Sequence, residues 1–197
     1  MKLIKAALAA FALAFTGTTV AAPIAAAQGT NVVVIDQSRI MQESAGGKDI
    51  ISKVNAIEQT MQSELKPTQD SLATEGQALD AKTANMTMDA IAADDALRTE
   101  VEQFAQKAQA FNRRRKIASA ELQATERAAW NQFFSAMQPV LQEVVAEKGA
   151  DVILDRSDAI YASPSVDATD LVISKMDAKL STVNVVRQKI QTQQPQQ

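Results

Sequence analysis

The sequence predicts a mainly helical α+β protein in which a long coiled-coil hairpin projects from a small β-strand body. Three observations predict it. Residues 48–148 are rich in Ala, Gln, Glu, Lys and Arg, and their apolar residues recur at three- and four-residue steps, the composition and period of long helices. Short β-branched runs lie on both sides of that stretch. A cluster of capping residues interrupts it near the middle.

The first 27 residues read as a secretory leader. Lys2 and Lys5 give a positive start, Ala6 to Phe15 an apolar run, and Ala25-Ala26-Ala27 a small-residue cleavage site, so the mature chain is expected to begin at Gln28. The apolar run is far short of the roughly 20 residues of a membrane span. No later stretch is apolar enough to cross a bilayer, and the exported protein is expected to be soluble. Without Lys2 and Lys5 it keeps 18 basic residues against 23 acidic ones, a formal charge of −5. That balance speaks against a dedicated nucleic-acid binder, because phosphate binding needs an excess of Lys and Arg.

The body is expected to begin in residues 28–47. Asn31 to Asp36 is a β-branched run ending on a turn-former, and its consecutive apolar residues suit a buried strand. Ser38 to Glu43 read as a short helical turn, broken by Gly46-Gly47. The arm spans 48–148. Ile50, Val54, Ile57, Met61, Leu65, Leu72 and Leu79 form one stripe. Leu97, Val101, Phe104, Ala108 and Phe111 begin another, which continues through Leu122, Trp130, Phe133, Met137, Val140 and Val144. Both stripes are narrow, as coiled-coil seams are.

A hairpin tip is expected at about 82–89, where Asn85, Thr87 and Asp89 are poor helix-interior residues and good caps. A single continuous helix is the rival reading. Pro67 and Pro139 each remove a helical N–H and should bend the helix, mark a restart or act as a hinge.

Residues 149–182 return to the body. Gly149 suits a helix C-cap; Asp151 to Asp155 and Ala159 to Ala162 read as two closing strands. Asp167, with Asp170 three residues on, would cap a last helix carrying Leu171, Val172, Met176 and Leu180. Residues 183–197 are expected to be a disordered tail, and its end, Gln191 to Gln197 with Pro195, is polar. So small a body is marginal alone, and oligomerisation is expected.

Cysteine and histidine are absent. The thiol nucleophile, the commonest general base and the best transition-metal ligands are therefore missing. The chain reads as a non-enzyme with no cofactor and no metal. Asp155, Asp158, Asp167 and Asp170 lack the Gly and bidentate Glu of a calcium loop and suit caps and turns. Gly46-Gly47-Lys48-Asp49 lacks the upstream Gly and the following Ser or Thr of a phosphate-binding loop.

Three segments resemble the Skp/OmpH-like family of periplasmic outer-membrane-protein chaperones. Val33 to Ser38 is similar to that family's first strand and turn, and Phe104 to Phe111 to the segment after its arm tip. Asp151 to Asp155, Ala159 to Tyr161 and Asp167 to Lys179 are similar to its closing strands and last helix. The resemblance spans essentially all of the mature chain. It implies a homotrimer whose strands share a central body, with three arms around a cavity that holds unfolded outer-membrane proteins without ATP. Val33, Val34, Ile35, Val152, Ile153, Leu154, Ile160 and Tyr161 would form that oligomer body.

The resemblance also implies a lipopolysaccharide or anionic-lipid contact on the arm. Lys107 matches the family lysine, but Ile117 and Ala118 stand where the family has an arginine pair. The basic cluster here is Arg113, Arg114, Arg115 and Lys116, one turn earlier. That cluster reads either as a solvated girdle paired with facing acids or as a patch for anionic lipid or client. Candidate apolar client contacts are Met61, Met86, Met88, Phe134 and Met137, since thioethers adapt to varied partners. A structural coiled-coil spacer or adaptor of the cell envelope is the alternative function.

Overall fold

The computed structural model describes residues 29–190. The expected leader, 1–27, and the last seven residues of the expected tail lie outside the described residues. In chain order the elements are β1 (Val32–Ile35), α1 (Gln37–Glu43), α2 (Ala45–Thr83), α3 (Met88–Ala93), α4 (Asp95–Lys148), β2 (Val152–Asp155) and α5 (Thr169–Lys179).

The two ends of the arm meet in the body. β1 and β2 pair in parallel, with Val32 opposite Val152, Val34 opposite Leu154 and Ile35 opposite Asp155. A parallel pair needs a long crossover, and here the whole arm supplies it. Asn31 locks the return: its side chain donates to the Lys148 and Gly149 carbonyls (2.9 and 3.0 Å), and its N–H to Asp151 Oδ2 (2.8 Å). Gly149 ends α4 at φ 59°, the left-handed cap that favours glycine.

α1 is capped by Asp36, which accepts from the Arg39 N–H (2.9 Å). The break after it falls at Ser44, not at Gly46-Gly47. Ser44 caps α2 through the Gly47 N–H (3.2 Å), and both glycines lie in the first turn of α2. Glycine is required there by close packing, because a Cβ on Gly47 would stand 1.9 Å from the Met41 carbonyl oxygen.

α2 and α4 pack along each other as a hairpin. At 54 residues, α4 extends about 80 Å at 1.5 Å per residue. Both helices run through their prolines without interruption. Ser63 and Ser135, each four residues before a proline, donate their hydroxyls to the Gln59 and Asn131 carbonyls (2.9 and 2.8 Å). The turn occupies Ala84 to Thr87, inside the expected tip. Instead of one ascending helix, short α3 follows, capped by Thr87. Asp94 then caps α4 through the Leu97 N–H (3.0 Å).

Three further expectations are corrected. Ala159 to Ala162 is not a strand. The Asp155 carboxylate draws the Ser157 N–H and hydroxyl to it (2.8 and 2.6 Å), turning the chain into a 3-10 turn at Arg156–Asp158. The residues beyond it find no ladder within the chain. Asp167 accepts from the Thr169 N–H (2.8 Å), but the cap position of α5 is Ala168 and Asp170 instead pairs with Arg39 (2.6 Å). Residues 183–190 are not free: they lie along the arm, with Val183 buried in the core.

The core sits where the arm enters the body. Ile40, Ile50, Phe133, Val140, Val144, Val172 and Met176 are fully buried there, drawn from α1, α2, α4 and α5. Trp130, Phe133 and Phe134 form an aromatic cluster at its edge, with Phe133 edge-on to both neighbours at centroid distances of 5.4 and 5.9 Å. No helix among the described residues is long and apolar enough to cross a membrane.

Candidate binding surfaces of the arm and body

The arm's seam decides which side chains remain available. Leu97, Phe104, Phe111, Ala118 and Thr125 recur every seven residues on α4, the repeat that keeps one stripe facing a partner helix. Leu97, Phe111 and Ala118 are buried in the hairpin, as are Met61 and Leu79 of α2, and Thr125 is buried where its hydroxyl accepts from the Gln188 N–H. Met61 is therefore interior. Met137 is interior as well, within the body core. Neither offers a free client contact, because seven- and four-residue spacing carries each onto the packed face.

Three candidates of that set remain at the surface. Met88 is 81% exposed and Met86 lies beside it at the tip. Phe134 is half-buried and, with Trp130 and Met41, lines a concavity of about 420 Å³ whose rim carries Glu126 and Arg127. This apolar hollow at the base of the arm joins α1 to α4.

The basic candidates separate. Lys107 reaches across the hairpin to Glu75 (2.7 Å) and is engaged. Arg113, Arg114, Arg115 and Lys116 are all exposed, and among the described residues none has an acidic partner. The girdle paired with facing acids is thus not what forms. Four consecutive residues point around the helix, so these cations fan out rather than converge.

In the body, Val33, Val34 and Ile35 are buried and Ile153 partly so. Val152 and Leu154 are exposed on β2. Ile160 and Tyr161 stand fully out, at 108% and 81% exposure. Exposed apolar side chains beside an unpaired strand edge mark a surface suited to another chain.

The acidic candidates have separate structural tasks. Hydrogen bonds from the Ser157 hydroxyl and amide, with one from the Gln37 amide, hold the Asp155 carboxyl below the usual carboxylate range. Burial works to raise Asp167, yet bonds from the Thr169 hydroxyl and amide outweigh it and leave the group lowered.

The sequence reading missed the segment after α5. The Arg187 guanidinium joins both arm helices, meeting Glu64 of α2 (3.0 Å) and Glu121 of α4 (2.8 Å). Those two carboxylates raise its pKa, Glu64 first. Glu121 is only 6% exposed and Thr125 1%, polar residues on an otherwise apolar seam. Polar residues at seam positions were the available signal.

A family model described as "Outer membrane protein (OmpH-like)" matches residues 31–176. A relative named "Chaperone protein Skp", from Yersinia enterocolitica, is 28% identical over 156 residues, covering 77% of this chain and 89% of its own. A solved structure from Caulobacter crescentus, described as an outer membrane chaperone (OmpH-like), superposes with a TM-score of 0.69. It is 28% identical, and the match covers 84% of this chain and 94% of that one.

Proposed function

This chain belongs to the OmpH-like outer membrane protein family, and on that premise we propose that it is an ATP-independent holding chaperone of the periplasm. It would enclose unfolded outer-membrane proteins and prevent their aggregation, after export and cleavage near Ala27. One observation carries the reading most directly. The arm folds back so that β1 and β2 pair residue for residue, and this leaves a long projection rooted in a small body. A spacer needs no such return.

The same geometry supports a homotrimer. Val152, Leu154, Ile160 and Tyr161 are apolar and uncovered in one chain, and association would remove them from water. Clients would meet Met86 and Met88 at the tips and the Trp130–Phe134 hollow at the base, through many weak contacts whose combined strength comes from effective concentration. An anionic lipid, if one binds, meets Arg113 to Lys116 more readily than Lys107, which Glu75 already holds. No step in this mechanism uses a nucleotide, metal or catalytic residue.

Light scattering of a porin diluted from urea tests the proposal. Suppression at about one trimer per client, unchanged by ATP, is the expected result. Absence of suppression by a protein of trimeric native mass would favour the envelope spacer.

A further inference from the structure

Beyond residue 176, where the family match ends, the chain does something that the holding function does not require. Residues Val183 to Ile190 lie extended along the groove between α2 and α4, held mostly by their main chain. The Val183 N–H donates to Asp49 Oδ2 and its carbonyl accepts from Lys53 (both 2.8 Å). The Asn184 carbonyl accepts from Gln132 (3.2 Å). Further out, the Gln188 N–H donates to the Thr125 hydroxyl (2.9 Å) and the Ile190 N–H to Glu121 Oε1 (3.1 Å). The Glu121 carboxylate takes its remaining hydrogen bonds from Arg187 Nε and Nη2 (2.9 and 2.8 Å).

Exposure alternates along this strap. Val183, Val185 and Arg187 turn inward, while Asn184, Val186 and Gln188 turn out. Period two is the signature of an extended strand. The groove therefore presents acceptors and donors to a backbone, small apolar space to Val183 and Val185, and the Glu64 and Glu121 carboxylates to the next inward side chain. Main-chain contacts do not depend on sequence, whereas alternate pockets select a pattern.

We propose that the α2–α4 groove is a docking site for extended polypeptide, and that Val183–Ile190 is its internal competitor. The partner is an unfolded, extended segment whose side chains alternate inward and outward and which carries a basic residue where Arg187 meets Glu64 and Glu121. Strands of membrane β-barrels alternate in this way, apolar toward lipid and polar toward the lumen, and a basic lumen-facing side chain suits that inward position. The inference rests on the holding function proposed above and names where a client strand would bind. Displacement exchanges one set of main-chain hydrogen bonds on Thr125 and Glu121 for an equivalent set, and the client's basic side chain takes the place of Arg187 on Glu64 and Glu121. The strap's covalent attachment gives it a high effective concentration, and a client competes through its own length and number of contacts.

Two measurements on the same samples test this. Hydrogen exchange of the Gln188 and Ile190 amides is followed in the full chain, with and without a urea-diluted outer-membrane protein, while light scattering reports whether that client is held. Loss of protection on client addition is expected. A chain ending at Val186 keeps Val183 and Val185 in the core and empties the outer half of the groove. If the strap is docked about nine-tenths of the time, this chain should bind client about tenfold more tightly. Full-length Arg187→Glu, which sets a carboxylate against Glu64 and Glu121, should move in the same direction without truncation.

Unchanged strap protection while the client is held would overturn the groove and leave the holding function standing. Weaker client binding in both variants, with trimer mass and helix content retained, would show a strap that only stiffens the arm, and would also overturn it. Failure of every form to hold client would remove the holding function, and the groove's partner with it.

Discussion

The base of the arm and its outer half are built from the same two helices but held by different means. At the base, α1 and α5 close over α2 and α4, and fully buried side chains from all four share one core. Toward the tip only the facing helix is available. Burial there thins to Leu79, Leu97 and Phe111, and ion pairs such as Lys82–Glu100 (2.5 Å) span the hairpin at its surface. Stability should therefore fall from body to tip. The proposed holding function would benefit from that gradient, since a rigid root would keep the copies together while the outer arm opens at low cost.

The largest break in the comparison comes from emptying the base. Phe133→Ala removes a fully buried ring that meets both Trp130 and Phe134. It should cost about 3–5 kcal/mol, read as a drop in the urea midpoint. Leu97→Ala, its distal counterpart, should instead speed hydrogen exchange near the tip and leave exchange in the body unchanged. Equal global losses from the two would show that arm and body unfold as one unit.

Next in size is Gly47→Ala. The added methyl would lie 1.9 Å from the Met41 carbonyl oxygen, and α1 must move away from α2 to admit it. Overpacking of this kind costs about 1–3 kcal/mol. A denaturation midpoint equal to the parent's would refute the close approach.

How far the sequence foretold this gradient differs by region. Three- and four-residue spacing announced the arm, and Asn85, Thr87 and Asp89 announced its turn, because helix period and capping are local properties. Val32 to Ile35 and Val152 to Asp155 were legible as strands for the same reason. Their parallel pairing was not, since register between segments more than a hundred residues apart leaves no local trace. Ile160 and Tyr161 have strand composition, yet the Asp155–Ser157 turn carries the chain out of the sheet and leaves them uncovered. The strap misled most. It precedes a polar Gln-rich end and carries no helical period, and only Glu121 and Thr125, 63–69 residues away on α4, hinted that something must cover them. Of the site candidates, Met61 and Met137 fell on packed faces because a stripe alone does not say which of its members a neighbour covers.

Acid should erode the body by a smaller amount. Bonds from the Ser157 hydroxyl and amide hold Asp155 lowered, and Asp49 is lowered by Lys53 and then by the Val183 N–H. A carboxyl whose folded pKa lies below its unfolded value of about 3.9 contributes stability above that pH. The contribution is lost as pH falls through the folded value. Both groups are half-buried, and the solvent that reaches them screens part of the effect. Melting temperature should therefore fall below about pH 4, and Asp155→Asn should flatten that slope while lowering stability at neutral pH. An identical slope in the variant would remove Asp155 from the account.

The smallest effect is expected in the outer arm, at the pair formed by Lys107 and Glu75. Lys107 is more than half exposed, and a pair in that setting gains little Coulomb energy while losing side-chain freedom. Lys107→Ala and Glu75→Ala should each change stability by less than about 0.5 kcal/mol, with a coupling in the double variant that fades as salt is added. The body's core gives no such salt dependence, because its contacts carry no charge. A coupling well above 1 kcal/mol that persisted in high salt would mean the outer hairpin is clamped as firmly as the base, and the arm could not open ahead of the body.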